Sequence, residues 1–265
     1  MTIPHPSIYA APALYELAFS ARDIGAQVDF LLTGFERRRG RTARSFLELA
    51  AGPAAHAIEV GSRGLDAAGL DLSPAMQAHA LQRARARGVS LAYTLADMVS
   101  FTTERKFDLV ATMLSSATYI LTDEDLLTHF DSVADALSDD GMYVIELPHP
   151  SSLDGVQTVG DAWTESNEHG VLHARWDSED PTQATTNCIA RFEFRPHGGG
   201  APILIEESAP ERMFRHAELD QLVRRSGRFE VEATLGALDE SVAWDAPKAW
   251  RMVVFLRLKR VKEVS

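Results

Sequence analysis

The stretch FLELAAGPAAHA, Phe46 to Ala57, decides how this chain folds. SFLELA reads as a short buried strand, and PAAHAIEVGSRG, which follows at once, reads as a helix ending at Gly64. A strand that turns directly into a helix is the opening of a nucleotide-binding βα unit, yet this turn carries one glycine, Gly52, where a dinucleotide turn usually carries three. It also sets a carboxylate, Glu48, beside the place where a diphosphate would sit. An anionic diphosphate wants close-packed amides and no carboxylate nearby, so the arrangement argues against a nicotinamide dinucleotide.

Outward from this stretch the chain alternates. DAAGLDL is a second strand, and Ser73 with Pro74 supplies an N-cap and a first-turn proline for a helix running to about Arg87 before Gly88. VSLAYTLAD and KFDLVATML are a third and a fourth strand. TDEDLLTHFDSVADAL is a helix capped by Thr122 with Asp125, Gly141 is a break, and MYVIEL is a fifth strand. Strands alternating with helices predict a parallel sheet covered on both faces, with ligands beyond the carboxyl ends of the strands. Helical stretches over Ser7 to Ser20 and Asp23 to Arg38 precede the sheet. After Pro148 three extended stretches, GVLHARWDS, TNCIARFEFRP and APILIEES, alternate side to side; Cys188, Ala190, Phe192 and Phe194 share one face, and Arg191, Glu193 and Arg195 share the other. The helix HAELDQLVRRSG and the strands FEVEATLG and WRMVVFLRLKR return the chain to the main sheet.

Composition narrows the function. With 26 Lys plus Arg against 38 Asp plus Glu, the net charge of -12 would repel a phosphate backbone, so nucleic acid is not expected as a partner. The basic run ERRRGRTAR, Glu36 to Arg44, reads as a solvated helix end that suits the macrodipole. Cys188 is the single cysteine, which leaves no disulfide framework. The N-terminal stretch lacks the pattern of a signal peptide, and no apolar run has the roughly 18 residues of a membrane span. A soluble, cytoplasmic protein without membrane attachment is expected.

In the order of these parts the chain resembles the class I S-adenosylmethionine-dependent methyltransferases. LELAAGPAAHAIEV is similar to the family's first motif, GLDLSPAM to the second, LADM to the third, FDLVATML to the fourth and GMYVIEL to the fifth. The N-terminal helices and ERMFRHAELDQLVRRSG are similar to the branch that methylates small metabolites, including amino-sugar and amino-acid N-methyltransferases. Pro53 and Ala54 depart from the usual threonine or glycine, a change that a helix start tolerates. The resemblance implies an α/β fold: a Rossmann-like seven-stranded sheet with N-terminal helices and an antiparallel β insertion after the fifth strand. It divides the chain into an N-terminal helical lid (1–43), a cofactor-binding core (44–149), an insertion for acceptor binding or oligomerisation (150–214), and a closing helix and β-hairpin (215–265).

The implied cofactor is S-adenosyl-L-methionine, leaving as S-adenosyl-L-homocysteine. Its sulfonium and ammonium groups would be attracted by Glu48, directly or through water, while Gly52 allows close backbone approach. Asp71 lies 23 positions after Glu48, close to the roughly 20-residue offset at which an acidic residue reaches a ribose. Asp97 can accept from the adenine amino group, with Met98, Met76 and Leu114 as apolar contacts to the ring. Ala50, Pro53 and Leu72 complete the cofactor motifs. Tyr15 joins them from the N-terminal helices, and Arg22 is placed there for the donor's carboxylate.

Methyl transfer from a sulfonium is an in-line displacement that needs a general base only when the acceptor must lose a proton. His149 is the candidate base or acceptor-orienting group, with Glu146 as its partner or as a carboxylate for a cationic acceptor, and Tyr119 as an acceptor-lining residue. Tyr9, Phe19 and Trp163, together with Tyr15, are candidates for an aromatic lid over a cation. No metal is expected. The histidines are scattered, and His169 and His173 in HGVLH fall on a turn entering a strand, where positions four apart lie roughly 13 Å from each other. The expected partner is a small-molecule acceptor, and a homodimer is left open. Nitrogen is preferred as the methylated atom, with oxygen or an aromatic carbon such as indole C3 next. The alternative is a non-catalytic nucleoside-binding protein that uses the insertion for partner binding; a nicotinamide oxidoreductase is a third reading.

Overall fold

The computed structural model describes residues 7–150, 161–180 and 184–259. The chain opens with a 3-10 turn at Ile8–Ala10, then helices α1 (Pro12–Ala18) and α2 (Ile24–Arg39). The helix expected over Ser7 to Ser20 is therefore two pieces. Pro12 has no N–H to donate back, so it starts a new helix at Ala11 instead of continuing the first turn. Helix α2 is capped by Asp23, whose side chain accepts from Ala26 N, and stops at Gly40 in the left-handed region (φ 67°). Of its terminal arginines, Arg38 pairs with Glu240 and Arg39 with Glu232, and Arg41 just beyond the helix pairs with Asp108 and Asp140.

The alternating region then follows as β1 (Ser45–Leu49), α3 (Ala55–Ser62), β2 (Asp66–Asp71), α4 (Pro74–Ala86), β3 (Leu91–Leu95), β4 (Phe107–Thr112), a 3-10 turn at Ser116–Tyr119, α5 (Asp123–Ala136) and β5 (Leu137–Pro148). The Thr122 cap forms as its spacing predicts, with Thr122 Oγ1 accepting from Asp125 N at 3.1 Å. Gly141 is not the break expected before the fifth strand. It lies inside β5, within an irregularity of the β4 pairing, and a Cβ there would come within 2.9 Å of the Leu137 side chain and the Ser138 carbonyl.

Strands β6 (Asp161–Asn167), β7 (Gly170–Ser178), β8 (Thr185–Pro196) and β9 (Ile203–Arg212) form a separate antiparallel sheet in that order. Four strands stand where three were expected. β6, DAWTESN, is an edge strand whose polar residues show no apolar alternation, and that pattern is what a sequence reading looks for. The chain ends with α6 (His216–Ser226), β10 (Phe229–Leu235) and β11 (Arg251–Leu258). The main sheet has the order β10-β11-β5-β4-β1-β2-β3, parallel except for β11, which is antiparallel to both of its neighbours.

Side-chain alternation divides the core. Phe46, Leu109, Ala111, Val144 and Phe255 pack against α2, α3 and α4, whereas Leu47, Leu49, Val110, Ile145 and Val254 pack against α5 and α6. A third cluster seals the small sheet onto the N-terminus, with Leu172, Ala174, Ala190, Phe192 and Ile205 against Ile8, Leu17 and Ala18. Trp163 Nε1 donates to Ala18 O at 2.5 Å across that seam. The strand order reverses between β1 and β4, where such sheets open a crevice for a ligand. No helix among the described residues is long and apolar enough to cross a membrane.

Candidate functional site

The turn after β1 is bent far more than its single glycine suggests. Ala50 (φ 47°), Gly52 (φ 50°) and Ala54 (φ 53°) all occupy the left-handed region. For alanine this costs about 1–2 kcal/mol per residue. The bend is held from outside: Ala51 N donates to Leu70 O (2.9 Å), Gly52 N to Asp71 Oδ2 (2.8 Å), and Tyr93 Oη to Gly52 O (2.6 Å). The residues that replace the usual glycines therefore keep the glycine conformation.

Glu48 does not line the cavity beyond this turn. It shares a strand face with Phe46, so it points toward the start of α3 and is 5% exposed. Oε1 accepts from His56 Nδ1 at 2.7 Å, and Oε2 accepts from Ala57 N at 2.8 Å. The helix N-terminus and the imidazole thus satisfy a carboxylate that burial would otherwise penalise. Direct attraction of a ligand by Glu48 is corrected accordingly, since the carboxylate is buried behind the turn and does not border the cavity. Arg22 stands behind the same group, its Nη2 3.3 Å from both His56 Nε2 and Gln27 Oε1. It is outside the cavity wall, as are Pro53 and the fully buried Met76, which packs under Gly52.

A cavity of about 890 Å³ opens over the carboxyl ends of the parallel strands, within the range of roughly 300–1,000 Å³ typical of small-molecule sites. Ala50 and Gly52 after β1, Asp71 and Leu72 at β2, Asp97 and Met98 after β3, Leu114 after β4 and His149 after β5 all border it. Asp71 is held at both oxygens, Oδ2 by Gly52 N and Oδ1 by Ser73 N, each at 2.8 Å. Burial raises its carboxyl above the ordinary value, while these amides and that of Leu72 act the other way. Asp97 is exposed, with Oδ1 accepting from Val99 N. Leu72 stands 67% exposed at the rim, an apolar side chain offered to the cavity.

The opposite wall is aromatic. Tyr9, Tyr15, Phe19 and Trp163 meet there, with ring centroids 5.8 Å apart for Tyr9–Tyr15, 4.8 Å for Tyr15–Phe19 and 5.7 Å for Phe19–Trp163. Tyr119 joins them through a 2.6 Å hydroxyl contact with Tyr9. Burial holds the phenols up, Tyr15 at about 12 and Tyr119 higher still, so both stay protonated at neutral pH.

Glu146 takes a different place from the one expected. It is buried, and its Oε2 accepts from Leu114 N at 2.7 Å. Arg251 Nε lies 3.2 Å from Oε1, an ion pair by distance whose N–H is not aligned for a hydrogen bond. Arg251 Nη1 also donates to Ser115 Oγ at 3.1 Å. Leu114 and Ser115 are a consecutive left-handed pair, φ 53° and 60°. Glu146 and Arg251 thus clamp a strained turn at the cavity wall instead of meeting an acceptor. His149 Nε2 donates to Trp244 O at 3.0 Å, and its ring lies 4.7 Å from that indole.

Several wall residues were not singled out by the sequence, among them Trp176, Cys188, Thr118 and Glu211. Glu211, at the end of β9, is 6% exposed and accepts from Thr118 Oγ1 through Oε2 at 2.8 Å. The signal for it is parity: Ile205, Glu207, Ala209 and Glu211 lie two apart along one strand and share its inner face. Among the described residues no three His, Cys, Asp or Glu converge as metal ligands; His5 lies outside the described residues.

Residues 46–141 match the family model described as a methyltransferase domain. Over 110 residues the chain is 36% identical to the dTDP-3-amino-3,4,6-trideoxy-alpha-D-glucopyranose N,N-dimethyltransferase of Streptomyces venezuelae, an alignment covering 42% of this chain and 45% of that protein, less than half its length. Among solved structures, an S-adenosylmethionine-dependent methyltransferase from Clostridium acetobutylicum superposes with a TM-score of 0.78 at 17% identity, covering 94% of this chain and 98% of that one. DesVI of Streptomyces venezuelae superposes at 0.76 with 23% identity, covering 91% and 96%. The sugar N-methyltransferase KedS8 from Streptoalloteichus gives 0.72 with 23% identity, covering 93% of each chain. The parallel strands of the chain thus match a methyltransferase domain, and nearly its whole length shares the fold of S-adenosylmethionine-dependent methyltransferases.

Proposed function

We propose that the protein transfers the methyl group of S-adenosyl-L-methionine to a small metabolite, with nitrogen as the preferred atom, and releases S-adenosyl-L-homocysteine. The observation that carries this reading is Asp71, a carboxylate at the end of β2 fixed by two amides and bordering the cavity at the switch point. The left-handed turn brings the Ala50 and Gly52 backbone to the same edge without the glycine-rich amide nest of a diphosphate site. Such a wall fits a neutral ribose carrying a cationic chain. In this reading Asp71 accepts from the ribose hydroxyls and Asp97 from the adenine amino group, while Met98, Leu72 and Leu114 pack on the ring.

The bound cofactor would supply an activated methyl on a positively charged sulfur. The chain's own part is alignment and exclusion of water. The sheet β6–β9 and α1 close the cavity opposite the strand ends, and the aromatic wall offers ring faces to a cation. His149 borders that space as the candidate acceptor-orienting group. The preference for nitrogen draws on the curated relative and on KedS8, both of which are named N-methyltransferases. Incubation with isotopically labelled donor and an amine and alcohol panel, read by mass spectrometry, tests the reading. Labelled product supports it. Tight donor binding with no product across the panel would favour the non-catalytic alternative.

A further inference from the structure

Glu211 is a buried carboxylate with one oxygen left over. Oε2 is satisfied by Thr118, but Oε1 is buried without a hydrogen-bond partner among the described residues. Cys188 and Trp176 lie close enough to favour the anion, yet neither completes a hydrogen bond with it. The neighbouring Arg212 does not neutralise it. That guanidinium points to the other face of the strand end, where it pairs with Asp123 and Glu218. An unpaired buried carboxylate oxygen is costly, and one that borders a cavity is placed where a ligand can complete it.

The surroundings specify the ligand's charge. Asp71, Asp97, Asp161 and Glu211 line the cavity, whereas Arg251 is the one lysine or arginine among the described lining residues. Arg251 is already engaged by Glu146 and Ser115. Tyr9, Tyr15, Phe19, Tyr119 and Trp176 add ring faces that attract cations. Burial holds the Glu211 carboxyl above the ordinary value, with the Thr118 hydroxyl acting against it, and a bound cation would draw it back toward the anion.

We propose that Glu211 is the receptor for a protonated amine on the acceptor and takes its proton before the freed nitrogen lone pair displaces the methyl from sulfur; the acceptor is therefore a small amine with an apolar or aromatic body and no phosphate. This inference rests on the methyltransferase reading above and narrows its acceptor class. It is tested by calorimetry on the full chain saturated with S-adenosyl-L-homocysteine. The probes are a panel of primary amines (ethylamine, cyclohexylamine, phenethylamine and tryptamine), the matching alcohols, and thymidine diphosphate. At least one amine should bind better than its alcohol. Glu211→Gln should weaken that amine roughly 10- to 100-fold, the range expected for losing a hydrogen bond to a charged group. Glu211→Asp should restore most of the affinity, and the alcohol should bind both variants alike. The proposal is overturned if no amine outbinds its alcohol, if Glu211→Gln leaves amine affinity unchanged while still binding S-adenosyl-L-homocysteine, or if thymidine diphosphate binds more tightly than every amine. Failure of the wild-type chain to bind S-adenosyl-L-homocysteine would instead overturn the cofactor reading.

Discussion

Replacing Asp71 by alanine removes two things at once, and the structure separates them. The Gly52 and Ser73 amides lose a charged acceptor that each holds at 2.8 Å. Bonds of this kind are worth about 1.5–3 kcal/mol when fully buried, but both amides stand at the cavity rim where water replaces the carboxylate, so the unliganded protein should lose only about 1–2 kcal/mol. The ribose hydroxyls lose their acceptor as well, which should weaken S-adenosyl-L-homocysteine binding by about 1–3 kcal/mol, or roughly 5- to 150-fold in Kd. The two losses are read independently, by denaturant melts without ligand and by calorimetric titration with it. The pH dependence supplies a further check. Burial raises the folded carboxyl above its unfolded value, so its contribution to unliganded stability is full below the ordinary carboxylate pKa and declines as pH rises through the folded one. Affinity should run the opposite way, improving as the group ionises, and Asp71→Asn should flatten that rise. A folded Asp71→Ala protein with wild-type affinity would refute the reasoning.

Three further outcomes follow from local geometry. His129 is fully buried, with Nδ1 donating to Met98 O and Nε2 accepting from Tyr143 Oη, each at 2.7 Å; burial lowers its pKa to about 4. A depressed histidine contributes stability above its unfolded value near 6.5 that is lost as pH falls toward 4, on the order of 3 kcal/mol in all, and His129→Gln should flatten melts across that window. Ala50→Gly should stabilise the protein by up to about 1 kcal/mol in denaturant melts, because relief at φ 47° exceeds the entropy glycine loses on folding; a clear loss of stability would contradict the strain assignment. Glu146→Ala leaves Arg251 and Leu114 N without their partner, so it should cost about 2–4 kcal/mol of stability and also weaken cofactor binding through the Leu114–Ser115 turn; an unchanged melting temperature would remove the clamp.

Local rules carried the sequence reading far where they act over a few residues. Thr122 with Asp125 marked a helix start, Ser73 with Pro74 marked another, and the alternation of Phe192 and Phe194 with Arg191 and Glu193 defined a sheet face. Other features depend on which face of an element meets which neighbour. The parity of Phe46 and Glu48 was visible, but only the packing of α2 and α3 shows that this face turns away from the cavity. Glu146 and Arg251 are neighbours across the antiparallel β5–β11 pair, 105 positions apart in the chain, so no local pattern joins them. Glu211 opens the stretch ERMFRHAELDQLVRRSG, and strand parity indicates its face but not what covers it. Its burial comes from the Ser116–Tyr119 turn packing against β9, and sequence periodicity does not show such a contact.

The central claim is that the cavity over the strand ends takes a cationic nucleoside and not an anionic dinucleotide. Parallel calorimetric titrations of one preparation with S-adenosyl-L-homocysteine, S-adenosyl-L-methionine and NADH test it most directly. The account predicts saturable binding of the first two and no heat from NADH. Uptake of NADH by protein that ignores both sulfur nucleosides would contradict it.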